Sequence, residues 1–157
     1  MQNHIFKQVA TRLSTLQRAP LSVIPLQDNK RPADTPETPN GRWVHLQKKR
    51  IAKTSIAAAF ESVGAIGVIC GAISGVWDTP KKHCIAGLEV IDIDTKHDKA
   101  GTIHTRFIQA VADRAPHLLA KLAVQDTPSG GRHIIYRAPN FERNQKLARN
   151  NGGKDAI

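Results

Sequence analysis

Aromatic side chains are scarce in this chain, with 4 Phe, 2 Trp and 1 Tyr among 157 residues. Any core must therefore be filled by Ile, Val, Leu and Ala. Cysteine is scarcer still: Cys70 and Cys84 are the two present, and they lack C-x-x-C spacing. That excludes a disulfide scaffold and a zinc ribbon. Lying in or beside apolar stretches, both read as buried thiols, which fits a reducing cytoplasm. Long apolar runs are missing too. The uncharged stretch from Val63 to Trp77 holds 15 residues, four of them glycine, whereas a membrane span needs about 20 apolar residues. No charged start leads into an apolar signal segment. The expectation is a soluble cytoplasmic protein with no membrane partner. Acidic residues are also in short supply, 13 against 23 Lys and Arg, for a formal net charge of +10. Such an excess favours polyanionic partners, nucleic acid foremost, although an ordinary basic protein has the same balance.

What is present fits one globular domain over residues 1–157, with 40% hydrophobic and 23% charged residues. Ile5, Val9, Leu13 and Leu16 recur at helical spacing, flanked by Phe6 and Ala10, and predict a first helix that ends before Pro20. Leu21 to Leu26 is a short apolar run suited to an edge strand, given Pro25. Residues 27–42 read as an exposed connection. Thr54 or Ser55 is placed to cap a helix whose Ile56, Phe60 and Val63 share a face. A buried strand is expected over Ala65 to Cys70, a long loop over Gly71 to Cys84, and a clear strand over Leu88 to Asp94. Ile103, Phe107, Ile108 and Val111 mark a helix ending near Pro116. Leu122 to Val124 and Arg132 to Tyr136 complete the strands. Helices and strands interleave, so the fold class is α+β, or mixed α/β, with a central sheet flanked by helices.

Two segments carry chemistry. In Leu88-Glu89-Val90-Ile91-Asp92-Ile93-Asp94, alternation puts both aspartates on one strand face, about 7 Å apart at their Cα atoms. Paired carboxylates ending a buried strand are costly unless a cation compensates them, and their oxygens suit Mg²⁺ or Mn²⁺. Two such ions about 3.5–4 Å apart are a common device for phosphoryl transfer. The same pair serves two-metal nucleases and glycosyltransferases, and two solvated acids in a loop would look alike in sequence. In Asp126-Thr127-Pro128-Ser129-Gly130-Gly131-Arg132-His133, Pro128, Gly130 and Gly131 make a tight turn whose backbone N–H groups can face an anion. Ser129, Arg132 and His133 add donors. An ordinary hairpin turn is the alternative.

Together these segments resemble the N-terminal prim-pol domain of the archaeo-eukaryotic primase superfamily, found in replication proteins of phages, plasmids and prophages. The resemblance rests on Val90-Ile91-Asp92-Ile93-Asp94 followed by Thr127-Pro128-Ser129-Gly130-Gly131-Arg132-His133-Ile134-Ile135-Tyr136. Ile24-Pro25-Leu26 with Lys30-Arg31-Pro32, and Ala65-Ile66-Gly67-Val68 with Gly71, extend it from Leu21 to Pro139. It implies a nucleotidyltransferase that uses nucleoside triphosphates, a DNA template and primer, and Mg²⁺ or Mn²⁺, alongside a helicase domain or protein. Asp92 and Asp94 would be the metal ligands and His133 the residue on the incoming phosphates. Ser129, Gly130, Gly131 and Arg132 would shape the nucleotide pocket, with Lys30 and Arg31 as further nucleotide or template contacts.

The chain departs from the family pattern in two places. The family's third acidic motif is not evident before Ile157, so the resemblance implies a core truncated at its C-terminus. Asp155 is the one candidate for that ligand, and a catalytically silent nucleotide- or nucleic-acid-binding module is the rival reading. The segment from Gly75 to Ile85, with Trp77, Lys81, Lys82 and His83, is longer than the pattern expects. It reads as a surface insertion or a template-contacting loop.

Overall fold

In a computed structural model, residues 2–96, 98 and 100–142 are described. They form two compact units, which divide between Gly87 and Leu88 within one long strand.

The first unit opens with helix α1 (Gln2–Ser14) and strand β1 (Ser22–Leu26). A loop with two short 3₁₀ turns, Pro39–Gly41 and Val44–Gln47, leads to helix α2 (Lys53–Ala59) and strand β2 (Ala65–Ile69). β1 and β2 pair antiparallel, with Ile24 opposite Gly67 and Leu26 opposite Ala65. The core is aliphatic apart from Phe60: Ala10, Val23, Ile24, Leu46, Ile56, Ala59 and Val63 pack around that ring. Phe6 and Leu13 lie against the same cluster. On α1 the inward stripe is therefore Phe6, Ala10 and Leu13, while Ile5 and Val9 are exposed. The expected stripe through Ile5 and Val9 lies one position away, because Ala10 lets the helix approach the core most closely.

Four further expectations for this unit need correction. Residues 27–42 are not simply an exposed connection. Ala33 and Thr38 are buried in it, and the Thr38 hydroxyl donates to the Ala33 carbonyl at 2.7 Å. α2 starts at Lys53, before Thr54 and Ser55, and its N-cap is Ala52 with no side-chain cap. Ile56, Phe60 and Val63 are buried as expected, but Phe60 is the C-cap of the helix and Val63 lies beyond it. β2 is only half buried, with Val68 and Cys70 exposed, so Cys70 is not a buried thiol; Cys84 is half buried, and neither forms a disulfide.

The largest difference concerns Gly71 to Cys84. Instead of a loop, strand β3 (Gly71–Asp78) turns through residues 79–82 into strand β4 (His83–Ile93), its neighbour in the sheet. Gly75 is what this hairpin requires. A Cβ there would lie 2.6 Å from the Ala86 carbonyl oxygen and 2.7 Å from Cys84 Sγ. A glycine that reads as a loop residue in sequence is in fact the point of closest approach between two strands. At the turn, Lys82 adopts left-handed backbone (φ 50°), as Lys30 does after β1 (φ 65°). Buried Ser74 in β3 accepts a 2.7 Å hydrogen bond from the Ser22 N–H, and the Ser22 hydroxyl donates to the Leu46 carbonyl. The Arg50 guanidinium donates to the carbonyls of Pro20 and Ile73.

In the second unit β4 continues to Ile93, followed by helix α3 (Ile103–Arg114), a 3₁₀ segment Pro116–Lys121, and strands β5 (Ala123–Asp126) and β6 (Arg132–Ala138). The strand order is β4-β6-β5, with β5 and β6 antiparallel and Gln125 opposite His133. Ile93 and Ile134 are fully buried. Alternation then puts Ile93 and Ile134 on the face opposite to Asp92 and His133. α3 begins where the Asp98 carboxylate accepts the Ile103 N–H at 2.9 Å, supplying an acceptor to a helix start that has no cap from Thr102. Among the described residues, no helix is long and apolar enough to cross a membrane.

Candidate nucleotide and metal site

The acidic strand and the glycine turn meet in the second unit. Residues 128–130 form a three-residue hairpin loop between β5 and β6. The Gly130 N–H donates to the Thr127 carbonyl and the Thr127 N–H to the Gly131 carbonyl, each at 2.9 Å. Pro128 presets the first turn position, and Gly130, at φ 84°, takes the left-handed one. Gly131 follows, and here the reason for glycine is space. A Cβ at this position would sit 2.6 Å from the Ile93 carbonyl oxygen. The turn thus packs flat on β4 at the peptide between Asp92 and Asp94.

His133 is the second link. From β6 its Nε2 lies 3.7 Å from Asp92 Oδ1 on the neighbouring strand. Asp94 lies just past the end of β4, where its Oδ1 accepts the Lys96 N–H at 2.9 Å. Ser129 and Thr127 share a hydroxyl–hydroxyl hydrogen bond of 3.1 Å across the turn. Asp92, Asp94, Ser129, Gly130, Gly131 and His133 are therefore gathered on one end of one small sheet.

Two physical expectations about this site are revised. The Asp92 side chain is 70% exposed and Asp94 is exposed as well, so neither pays the burial cost that was expected to demand a cation. The case for a metal rests instead on two adjacent open carboxylates. Mg²⁺ is held by one or two carboxylates plus waters and substrate phosphates, and this donor set fits that mode. Among the described residues, no group of three His, Cys, Asp or Glu side chains gathers for a metal. In addition, the N–H groups of Thr127 and Gly130 are used inside the turn rather than presented to an anion.

Arg132 is held by two partners. Its Nε donates to Asp126 Oδ1 at 2.8 Å, and its Nη1 donates to Nδ1 of His104, near the start of α3. With Nδ1 accepting, the His104 proton sits on Nε2, which is buried and has no hydrogen-bond partner among the described residues. Burial holds the His104 pKa below the usual histidine value. The nearby Arg132 cation adds to that, while Asp126 opposes it. Sequence reasoning missed His104, because 28 residues separate it from Arg132 and no spacing marks the pair. Deeper along the same strands, burial raises the Glu89 pKa, helped by Glu142, and burial with the Glu89 charge raises that of Tyr136.

Lys30 and Arg31 belong to the first unit. They lie on an exposed turn closed by the Gln27 N–H to the Arg31 carbonyl (2.8 Å), with the Arg31 N–H on Asn29 Oδ1. Asp155 lies outside the described residues.

Comparison with known families gives one result. The model of the Prim-Pol family, described as bifunctional DNA primase/polymerase, N-terminal, matches residues 13–156. No curated protein and no solved structure matches the chain.

Proposed function

The chain belongs to the Prim-Pol family of bifunctional DNA primase/polymerase N-terminal domains, and from that premise we propose that it binds a nucleoside triphosphate and transfers the nucleotide to a primer on a DNA template. The observation that carries this reading is the approach of His133 Nε2 to 3.7 Å from Asp92 Oδ1, beside a glycine turn seated on the peptide between Asp92 and Asp94. A carboxylate pair and the basic side chains of Arg132 and His133 in one place are what a metal-chelated triphosphate needs.

In this mechanism Asp92 and Asp94 would hold Mg²⁺ or Mn²⁺, which would neutralise charge on the reacting phosphates. His133 and the remaining donors of Arg132 grip the triphosphate, with Ser129, Gly130 and Gly131 shaping the floor beneath it. The 3′-oxygen of the primer forms a bond to the α-phosphorus, the bond to the bridging oxygen breaks, and pyrophosphate leaves with that electron pair. The hydroxyl proton passes to solvent. Positioning and electrostatics do the work, and no protein nucleophile is involved. Lys30 and Arg31 contribute contacts to nucleotide or template. The setting we propose is a replication protein of a phage, plasmid or prophage, acting with a helicase domain or protein.

The test is incorporation of labelled deoxynucleotides on a primed template with Mg²⁺ or Mn²⁺, comparing wild type with Asp92→Asn, Asp94→Asn and His133→Ala. Metal-dependent extension that all three variants lose supports the reading. Extension that survives them rejects the site. Nucleotide binding without incorporation by wild type points instead to a silent binding module.

A further inference from the structure

The β3–β4 hairpin has features the nucleotidyl-transfer reading does not use. It carries Trp77, one of only two tryptophans in the chain, with 44% of its surface exposed. A large aromatic side chain left in solvent is unusual for a protein so short of aromatics. The ring is also not loose: its Nε1 donates to the carbonyl of Ala72, five residues back, at 2.8 Å. A straight strand would carry residue 72 about 16 Å from residue 77. The bond is possible because β3 bends at Gly75, whose Cβ position is 3.0 Å from that same Ala72 oxygen. The hairpin thus folds its tryptophan back and fixes the ring orientation.

The turn of the same hairpin carries positive charge. Lys81 and Lys82 occupy the turn and His83 opens β4, all three exposed. Asp78, at the end of β3, meets Lys81 Nζ at 3.6 Å in an exposed pair that water and salt weaken. Beyond them, Ile85 is 49% exposed. An oriented aromatic plane on a hairpin whose turn carries cationic side chains offers what grips single strands, a ring to stack on a base and lysines to lie along the phosphates. Duplex DNA offers no exposed base face, so the chemistry favours an unpaired strand.

We propose that the β3–β4 hairpin is a contact surface for single-stranded DNA, with Trp77 stacking on an unpaired base and Lys81 and Lys82 holding the adjoining phosphates. This deepens the polymerase reading by assigning a surface to the template strand, yet it stands on its own observations.

The test measures binding of a fluorescently labelled oligothymidylate to the full chain by anisotropy, with an equal-length duplex and a free deoxynucleoside triphosphate as competitors. Trp77→Ala should weaken single-strand binding about 10-fold, as loss of one stacked base does. Trp77→Phe should restore most of it. Lys81→Gln with Lys82→Gln should weaken it further and flatten its salt dependence. In a Trp43→Phe background, DNA should quench the remaining Trp77 fluorescence. Asp92→Asn should abolish primer extension while leaving strand binding intact, which separates failure of this surface from failure of the catalytic reading. Wild-type affinity in a folded Trp77→Ala variant, or equally strong competition by duplex or free nucleotide, would overturn the proposal.

Discussion

His133 reaches towards Asp92 from the neighbouring strand, its Nε2 stopping 3.7 Å from a carboxylate oxygen that is largely open to solvent. The spacing is too long for a hydrogen bond and suits two groups that each await a further partner. If those partners are the phosphates and their metal, the two residues should fail in different ways. Asp92→Asn should lower kcat for nucleotide incorporation at least ~100-fold, the scale seen when one key electrostatic stabiliser is removed. His133→Ala should raise KM for the nucleotide as well. Steady-state kinetics on a primed template would resolve the two, and identical kcat and KM profiles for both variants would contradict this division of labour.

Chelating divalent cations with EDTA should stop incorporation completely, and Mg²⁺ or Mn²⁺ should restore it. Because Asp92 and Asp94 are exposed, their mutual repulsion is weak in water. Removing the metal should therefore leave the melting temperature almost unchanged in the absence of nucleotide. A large fall in melting temperature with EDTA alone would mean that a metal is structural.

The two glycines of the turn should respond differently to alanine. At Gly131 the new methyl would meet the Ile93 carbonyl oxygen at 2.6 Å, so backbone must move, at a cost of about 1–3 kcal/mol. That movement also displaces the peptide between the aspartates, so activity should fall with stability. At Gly130 the nearest atom to a new Cβ is Thr95 Oγ1 at 3.8 Å. Space is ample there, and only the left-handed backbone resists, by about 1–2 kcal/mol. Gly130→Asn should recover part of this loss. Urea titrations of the three variants would test the ranking.

His104 should couple stability to pH. Its folded-state pKa lies below the ordinary value of 6.5, so near and below that value the unfolded chain takes up the proton more readily. Stability from this residue is therefore fully present above about pH 6.5 and declines as pH falls through the window beneath it. His104→Gln should reduce stability at neutral pH while showing a shallower decline on acidification. Melting curves from pH 7.5 to 5 would show it, and parallel curves for wild type and variant would refute it.

Ser74→Ala offers a check on the first unit. The variant leaves the buried Ser22 N–H without its 2.7 Å acceptor, which should cost about 1–3 kcal/mol. Chemical denaturation would measure it.

Much of the geometry of the candidate site was readable in sequence because it depends on local rules. Alternation placed Asp92 opposite in face to buried Ile93, and Pro128 with Gly130 announced the turn that carries Gly131 and His133. α3 could be read from the spacing of Ile103, Phe107 and Val111 and from Pro116. What escaped depends on contacts distant in sequence. His104 reveals its link to Arg132 only once α3 meets β6. Gly71, Gly75 and Pro80 read as loop residues, although Gly75 is present because two strands close on it. The exposure of Asp92 could not be inferred either, since an apolar strand implies burial of its body and says nothing of its open end. On α1 two adjacent apolar stripes competed, and the small side chain of Ala10 decided which one faced inward.

The left-handed backbone at Lys30 and Lys82 has a consequence for engineering. Glycine would suit both positions and relieve torsional strain that lysine must bear. Substituting Lys30→Gly and Lys82→Gly should therefore produce a hardier protein, but one stripped of two cations at exposed bends. Any screen that rewards heat resistance alone would select exactly these changes, and would drift towards a robust fold with a poorer hold on polyanions.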